Sequence, residues 1–109
     1  MLQEIPLSPY VVLSSRTVRG PGQYLTRFRK IFSPCWLTAS LVSKRITIYT
    51  GSDERHMVRS IRWEDLCQAV PSKGPVFHIV MVDRTHHVRV ADVETVRAWV
   101  LALNSVLDS

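Results

Sequence analysis

The stretch that most constrains this chain is DVETVRAWVLALNSVL, residues 92–107. Val96, Trp99, Val100, Leu103 and Leu107 recur at helical spacing, so they line one stripe of an α-helix. Asp92 precedes that stripe, and its carboxylate is suited to accept from the open N–H groups of a first turn. Glu94 adds negative charge at the positive end of the helix dipole. No Gly or Pro falls between Val93 and Leu107. Burying Trp99 alone is worth roughly 2–3 kcal/mol. A stripe this apolar needs a surface to cover, and the residues ahead of it must supply one.

Those residues read as short extended runs broken by turn chemistry. Gly20-Pro21-Gly22 is turn material, and it divides an N-terminal extension (1–21) from a domain over 22–109. Within the extension, Tyr10–Leu13 is an apolar strand candidate. Beyond it, 23–30 alternates as a strand, Ser33-Pro34 interrupts, and 35–42 resumes extended character. Ser43-Lys44 joins this run to 45–50, which is β-branched and aromatic. After a loop at 51–53 come strands at 56–63 and 66–70. The loop PSKGP at 71–75 leads into 76–82, with Phe77, Ile79 and Met81 on one face. A turn at 83–85 returns the chain through 86–90. Short strands with short connections indicate an antiparallel meander rather than parallel βαβ units. The fold class expected is therefore mainly β, a seven-stranded antiparallel barrel or sandwich closed by one C-terminal amphipathic helix.

The chain's 109 residues fit one domain, and 46% apolar content supports a real core. Cys35 and Cys67 are too few and too isolated for a disulfide framework or a zinc motif, and read as reduced, cytosolic thiols. No run has the length of a membrane helix, and no secretory leader is evident. The net charge of +5 favours anionic partners without choosing among them. The chain contains no Gly-rich phosphate loop, nucleophile elbow or Cys–His context, so an enzyme is not expected. His86 and His87 point to opposite faces of a strand and do not share a metal, so the histidines read as surface or strand-face residues. Neither a metal nor a cofactor is expected.

Three patterns carry a resemblance to the pleckstrin homology (PH) domain over about residues 22–108. Gly22-x-Tyr24-Leu25-x-Arg27 looks like its first strand, and Ile61-x-Trp63-x-Asp65-Leu66 like its fourth-strand corner. The specific pattern is the last: Phe77-x-Ile79, Asp83-Arg84-Thr85, Val88, then Val93-x-x-Val96-Arg97-x-Trp99-Val100-x-x-Leu103. There Trp99 stands where the family keeps its helix Trp. Phosphotyrosine-binding and EVH1 modules share this superfold.

The resemblance implies a phosphoinositide site built from basic residues on the first two strands and the loop between them. Arg27 matches its first position, with Arg29 and Lys30 nearby, but Ser33-Pro34-Cys35-Trp36 stands where the second-strand basic pair belongs. The loop reads as short, Ile31 to Pro34. Lys44, Arg45 and Arg55 are further basic candidates near the same end. Ile31 and Phe32 either insert into a partner or fold back onto the barrel mouth, and folding back is preferred because exposed apolar pairs lower solubility. Several converging cations hold phosphates well; scattered ones give about 1 kcal/mol each near an anionic leaflet. The expected function is a non-catalytic docking module that binds its parent protein to a protein partner. Recruitment to phosphoinositides or an anionic membrane through Arg27–Lys30 is the alternative, and an OB-like nucleic-acid barrel is remote. The expected place of action is the cytoplasm, at a membrane or the cytoskeleton, and the chain reads as a fragment of a larger protein.

Overall fold

The computed structural model describes residues 4–8, 10–14, 16–25, 31–40, 42–82 and 84–107. Among them run nine strands: β1 (Glu4–Ser8), β2 (Val11–Ser14), β3 (Thr17–Leu25), β4 (Phe32–Ser40), β5 (Arg45–Tyr49), β6 (Met57–Arg62), β7 (Leu66–Pro71), β8 (Val76–Met81) and β9 (Thr85–Arg89). A 3-10 turn at Trp63–Asp65 joins β6 to β7, and α1 (Val93–Leu107) ends the chain. Strand order is β6-β5-β4-β3-β9-β8-β7, antiparallel throughout, with the hairpin β1–β2 added beside the start of β3. The seven strands β3–β9 and α1 are the expected helix-closed barrel.

Alternation along the strands builds the core. Cys35, Leu37 and Ala39 of β4, Ile46 and Ile48 of β5, Ile61 of β6, Phe77 and Ile79 of β8, and Val88 of β9 form one buried core. Helix α1 lays Val96, Trp99 and Leu103, each 1% exposed, into this interior. Trp99 stacks on Phe77 with ring centroids 6.3 Å apart. Asp92 caps the helix as its sequence implies: its Oδ1 accepts from Thr95 N at 2.8 Å and from Thr95 Oγ1 at 2.6 Å. Those two bonds hold the Asp92 carboxyl below its ordinary pKa.

Two expected interruptions lie inside strands. Gly20-Pro21-Gly22 is the middle of β3, and Ser33-Pro34 belongs to β4. The glycines serve close approach here, not a turn. A Cβ on Gly20 would stand 2.3 Å from the Tyr10 carbonyl oxygen, and one on Gly22 would stand 3.2 Å from that of Arg89. Removing both side chains lets β2 and β9 approach the same edge of β3. Pro21 falls between them, where neither neighbour pairs with that edge, so its missing N–H breaks no ladder bond there. Strand β3 thus crosses the expected 21/22 boundary, and the buried Val11 of the N-terminal hairpin joins the core.

Candidate functional site

Strand direction fixes which connections share an end of the barrel. Leu25 pairs with Phe32, so residues 26–31 join two facing strand ends. The 50–56 connection leaves β5 at this end, and the turn between β8 and β9, closed by Met81 N donating to Arg84 O at 2.8 Å, lies at the end of β9 nearest Leu25. The facing ends of β3 and β4, the 50–56 connection and the β8–β9 turn lie at the mouth opposite α1. The β3–β4 connection is 26–31, not the expected Ile31–Pro34.

The predicted residues distribute unevenly around that mouth. Arg27, Arg29 and Lys30 lie outside the described residues. Ile31 is on the rim and half exposed (50%), and Phe32 folds back beneath Arg89, whose guanidinium carbon stands 4.2 Å from the ring centre. Arg55 is on the rim, exposed, and 3.9 Å from Asp53. Lys44 and Arg45 are at the other end, a correction to the expected grouping. They follow the nine-residue β4, whose length separates them from the mouth by roughly 30 Å. There Lys44 takes φ 55° to make the turn, and Arg45 donates to Ser60 Oγ at 3.2 Å.

The floor of the mouth is filled by its own side chains. His86, on the inner face of β9, is 4% exposed, and its Nδ1 lies 3.1 Å from the Tyr24 hydroxyl. Cys35 points inward from β4, and burial pushes its thiol up to about 12, so no thiolate forms near neutrality. Strand β4 therefore offers Ser33 and Cys35 at the mouth where a basic pair would be needed. Sequence reading missed Val82, 83% exposed at the β8–β9 turn, and the following Arg84. Their signal was the turn itself, since a large apolar residue beside a tight turn has no core position to fill. On the outer face, Glu54, at φ 56°, accepts from Thr38 Oγ1 at 2.8 Å and Arg19 Nε at 3.3 Å, which folds the 50–56 connection against the sheet.

The two ends of the seven-strand path, β6 and β7, are guarded in different ways. Asn104 of α1 clamps β7: its Nδ2 donates to Ala69 O at 2.8 Å and its Oδ1 accepts from Ala69 N at 2.9 Å. The amide stands in for a neighbouring strand and closes the groove between helix and sheet at that point. Edge strand β6 carries a bulge opposite Ile48–Tyr49, and Arg59, directly opposite the buried Ile48, points a charge toward the interior. Bulges and inward charges both discourage an added strand. Outside these features, His78 and His87 meet edge to face on the outer surface of β8–β9, with centroids 4.3 Å apart. Partial desolvation, then the neighbouring His87, lowers the His78 pKa. Among the described residues no group of three or more His, Cys, Asp or Glu could hold a metal ion, and no helix is long and apolar enough to cross a membrane.

A seven-stranded barrel with one helix closing an end and the mouth at the other is the PH-like fold. Solved structures agree. The PH domain of human oxysterol-binding protein-related protein 11 superposes with a TM-score of 0.74 at 13% identity, over 87% of this chain and 82% of that one. The C-terminal PH domain of pleckstrin, solved with D-myo-Ins(1,2,3,4,5)P5, gives 0.70 at 13%, over 81% and 94%. The N-terminal PH domain of human ARAP2 gives 0.68 at 20%, over 85% and 80%. No protein-family model matches the sequence, and neither does any characterised protein.

Proposed function

We propose that the chain is a non-catalytic docking module that holds its parent protein on a protein partner through the mouth of the barrel. The observation that supports this reading is the composition of the rim. Ile31 and Val82 stand exposed there beside Arg55 and Arg84, while β4 brings no cation to clamp an inositol phosphate. Apolar side chains ringed by arginines suit a protein surface with an apolar centre and an acidic margin. The guards on β6 and β7 make strand addition at those edges a poor route for that partner. The test is recruitment of the parent protein in cells, with crosslinking through a photoreactive residue at position 55. Ile31→Asp with Val82→Asp is expected to abolish both recruitment and a stoichiometric protein crosslink. Unchanged recruitment by the double variant overturns the reading.

A second reading rests on the basic run Arg27, Arg29 and Lys30, which the sequence places between two strand ends that face each other at the mouth. It makes the partner an anionic membrane or a phosphoinositide headgroup. Co-sedimentation with vesicles that vary only in headgroup decides between the two. Binding that is lost when all three residues become Ala supports the membrane; absence of vesicle binding leaves protein docking.

A further inference from the structure

The outer face of β8–β9 carries two imidazoles with no evident role in the fold. His78 on β8 and His87 on β9 stand directly opposite each other in register, with rings 84° apart in plane. Among the described residues no hydrogen bond ties either ring. Both side chains are half-buried and share their face with Val70, Val76 and Val80, which are also half-buried. The rings therefore rise from an apolar floor that limits their movement. His86, next along β9, faces the interior and meets Tyr24, so the pair is made across strands and not between sequence neighbours.

The spacing of the rings is that of ligands to one ion. Two imidazoles that bind a common metal at about 2.0–2.1 Å, with a right angle at the metal, set their centroids roughly 4.5 Å apart. The observed separation is 4.3 Å. We propose that His78 and His87 form a two-histidine site for a borderline divalent ion, Cu²⁺, Ni²⁺ or Zn²⁺, with water in the remaining positions. Imidazole suits these ions, whereas Ca²⁺ and Mg²⁺ require oxygen donors that the pair lacks. Arg89 shares the face two residues along β9, but its guanidinium is drawn over Phe32. With two protein ligands the site holds its ion more weakly than a four-ligand structural zinc centre.

Isothermal titration of the tag-free, chelator-stripped chain with CuCl₂, NiCl₂ and ZnCl₂ tests this. The expected result is one ion per chain, with Cu²⁺ bound most tightly, as the general affinity order for nitrogen sites requires. His78→Ala and His87→Ala are each expected to weaken binding roughly tenfold or more, while His56→Ala binds like the parent. Thermal melts without metal check that the variants fold. For a variant that does not, imidazole NMR signals of the parent chain substitute, with Zn²⁺ shifting those of His78 and His87. Absence of saturable binding, or binding that survives loss of either imidazole, overturns the site. So does Zn²⁺ that leaves both imidazole signals unmoved.

Discussion

At the helix end of the barrel, Trp99 is 1% exposed and stacked on Phe77; at the mouth, Ile31 and Val82 are 50% and 83% exposed. Both ends carry large apolar side chains; α1 buries one set, while the other keeps half or more of its surface exposed. At the helix end, backbone groups are satisfied by side chains through the Asp92 cap and the Asn104–Ala69 clamp. The mouth is held by turn bonds such as Thr50 N to His56 O and Met81 N to Arg84 O, and by the side-chain contacts Tyr24 to His86 and Glu54 to Thr38. One end therefore carries the stability of the domain and leaves the other free to be shaped for contact.

That division is broken most directly at Trp99. Trp99→Ala leaves a cavity under α1, and chemical unfolding is expected to show a loss of about 3–5 kcal/mol. A loss below about 1 kcal/mol would mean the helix end does not carry the fold. The next effect is at Gly20. Gly20→Ala drives a methyl against the Tyr10 carbonyl, a backbone atom, so β2 must move; about 1–3 kcal/mol is expected. Gly22→Ala sharpens the point, since its closest neighbours stand at 3.1 Å or more and include the adaptable Leu37 side chain. It should cost less in the same assay, and equal costs would show that the hairpin is not locked by contact at Gly20. Asn104→Ala follows, at about 1–2 kcal/mol for two lost bonds to Ala69. It also uncovers the edge of β7, so sedimentation velocity should show self-association that the parent chain lacks.

How much of this was legible follows from how far apart the interacting residues lie. The helix, its Asp92 cap and the strand alternation of 76–82 depend on neighbours within a turn or two, and the sequence carries them as period and spacing. Gly20-Pro21-Gly22 misled because the same residues that make turns also permit close approach of neighbouring strands, and only the register of β2 and β9 distinguishes the two uses. Asn104 with Ala69, Glu54 with Arg19, and Tyr24 with His86 join residues 35, 35 and 62 positions apart, with no local trace. The candidate site suffered in the same way. Lys44 and Arg45 carry the same charge as the basic run before β4 but stand at the far end of β4 from Phe32, while Val82 reaches the rim because β9 runs beside β3.

The smallest expected effect tests the other half of the comparison. If the rim is surface shaped for contact, its apolar side chains add nothing to the isolated domain. Ile31→Asp and Val82→Asp remove exposed apolar area, and their unfolding free energies should stay within about 0.5 kcal/mol of the parent. Val82 is the stricter case, because at 83% exposure it has little packing to lose. Ile31, at 50%, has more contact with the domain and sets the upper limit of any change. A loss of 2 kcal/mol or more at Val82, about the worth of a fully buried Val side chain, would place that side chain in the core and reduce the mouth to a second closed end. Stability unchanged together with lost recruitment would separate folding from docking at the level of single residues.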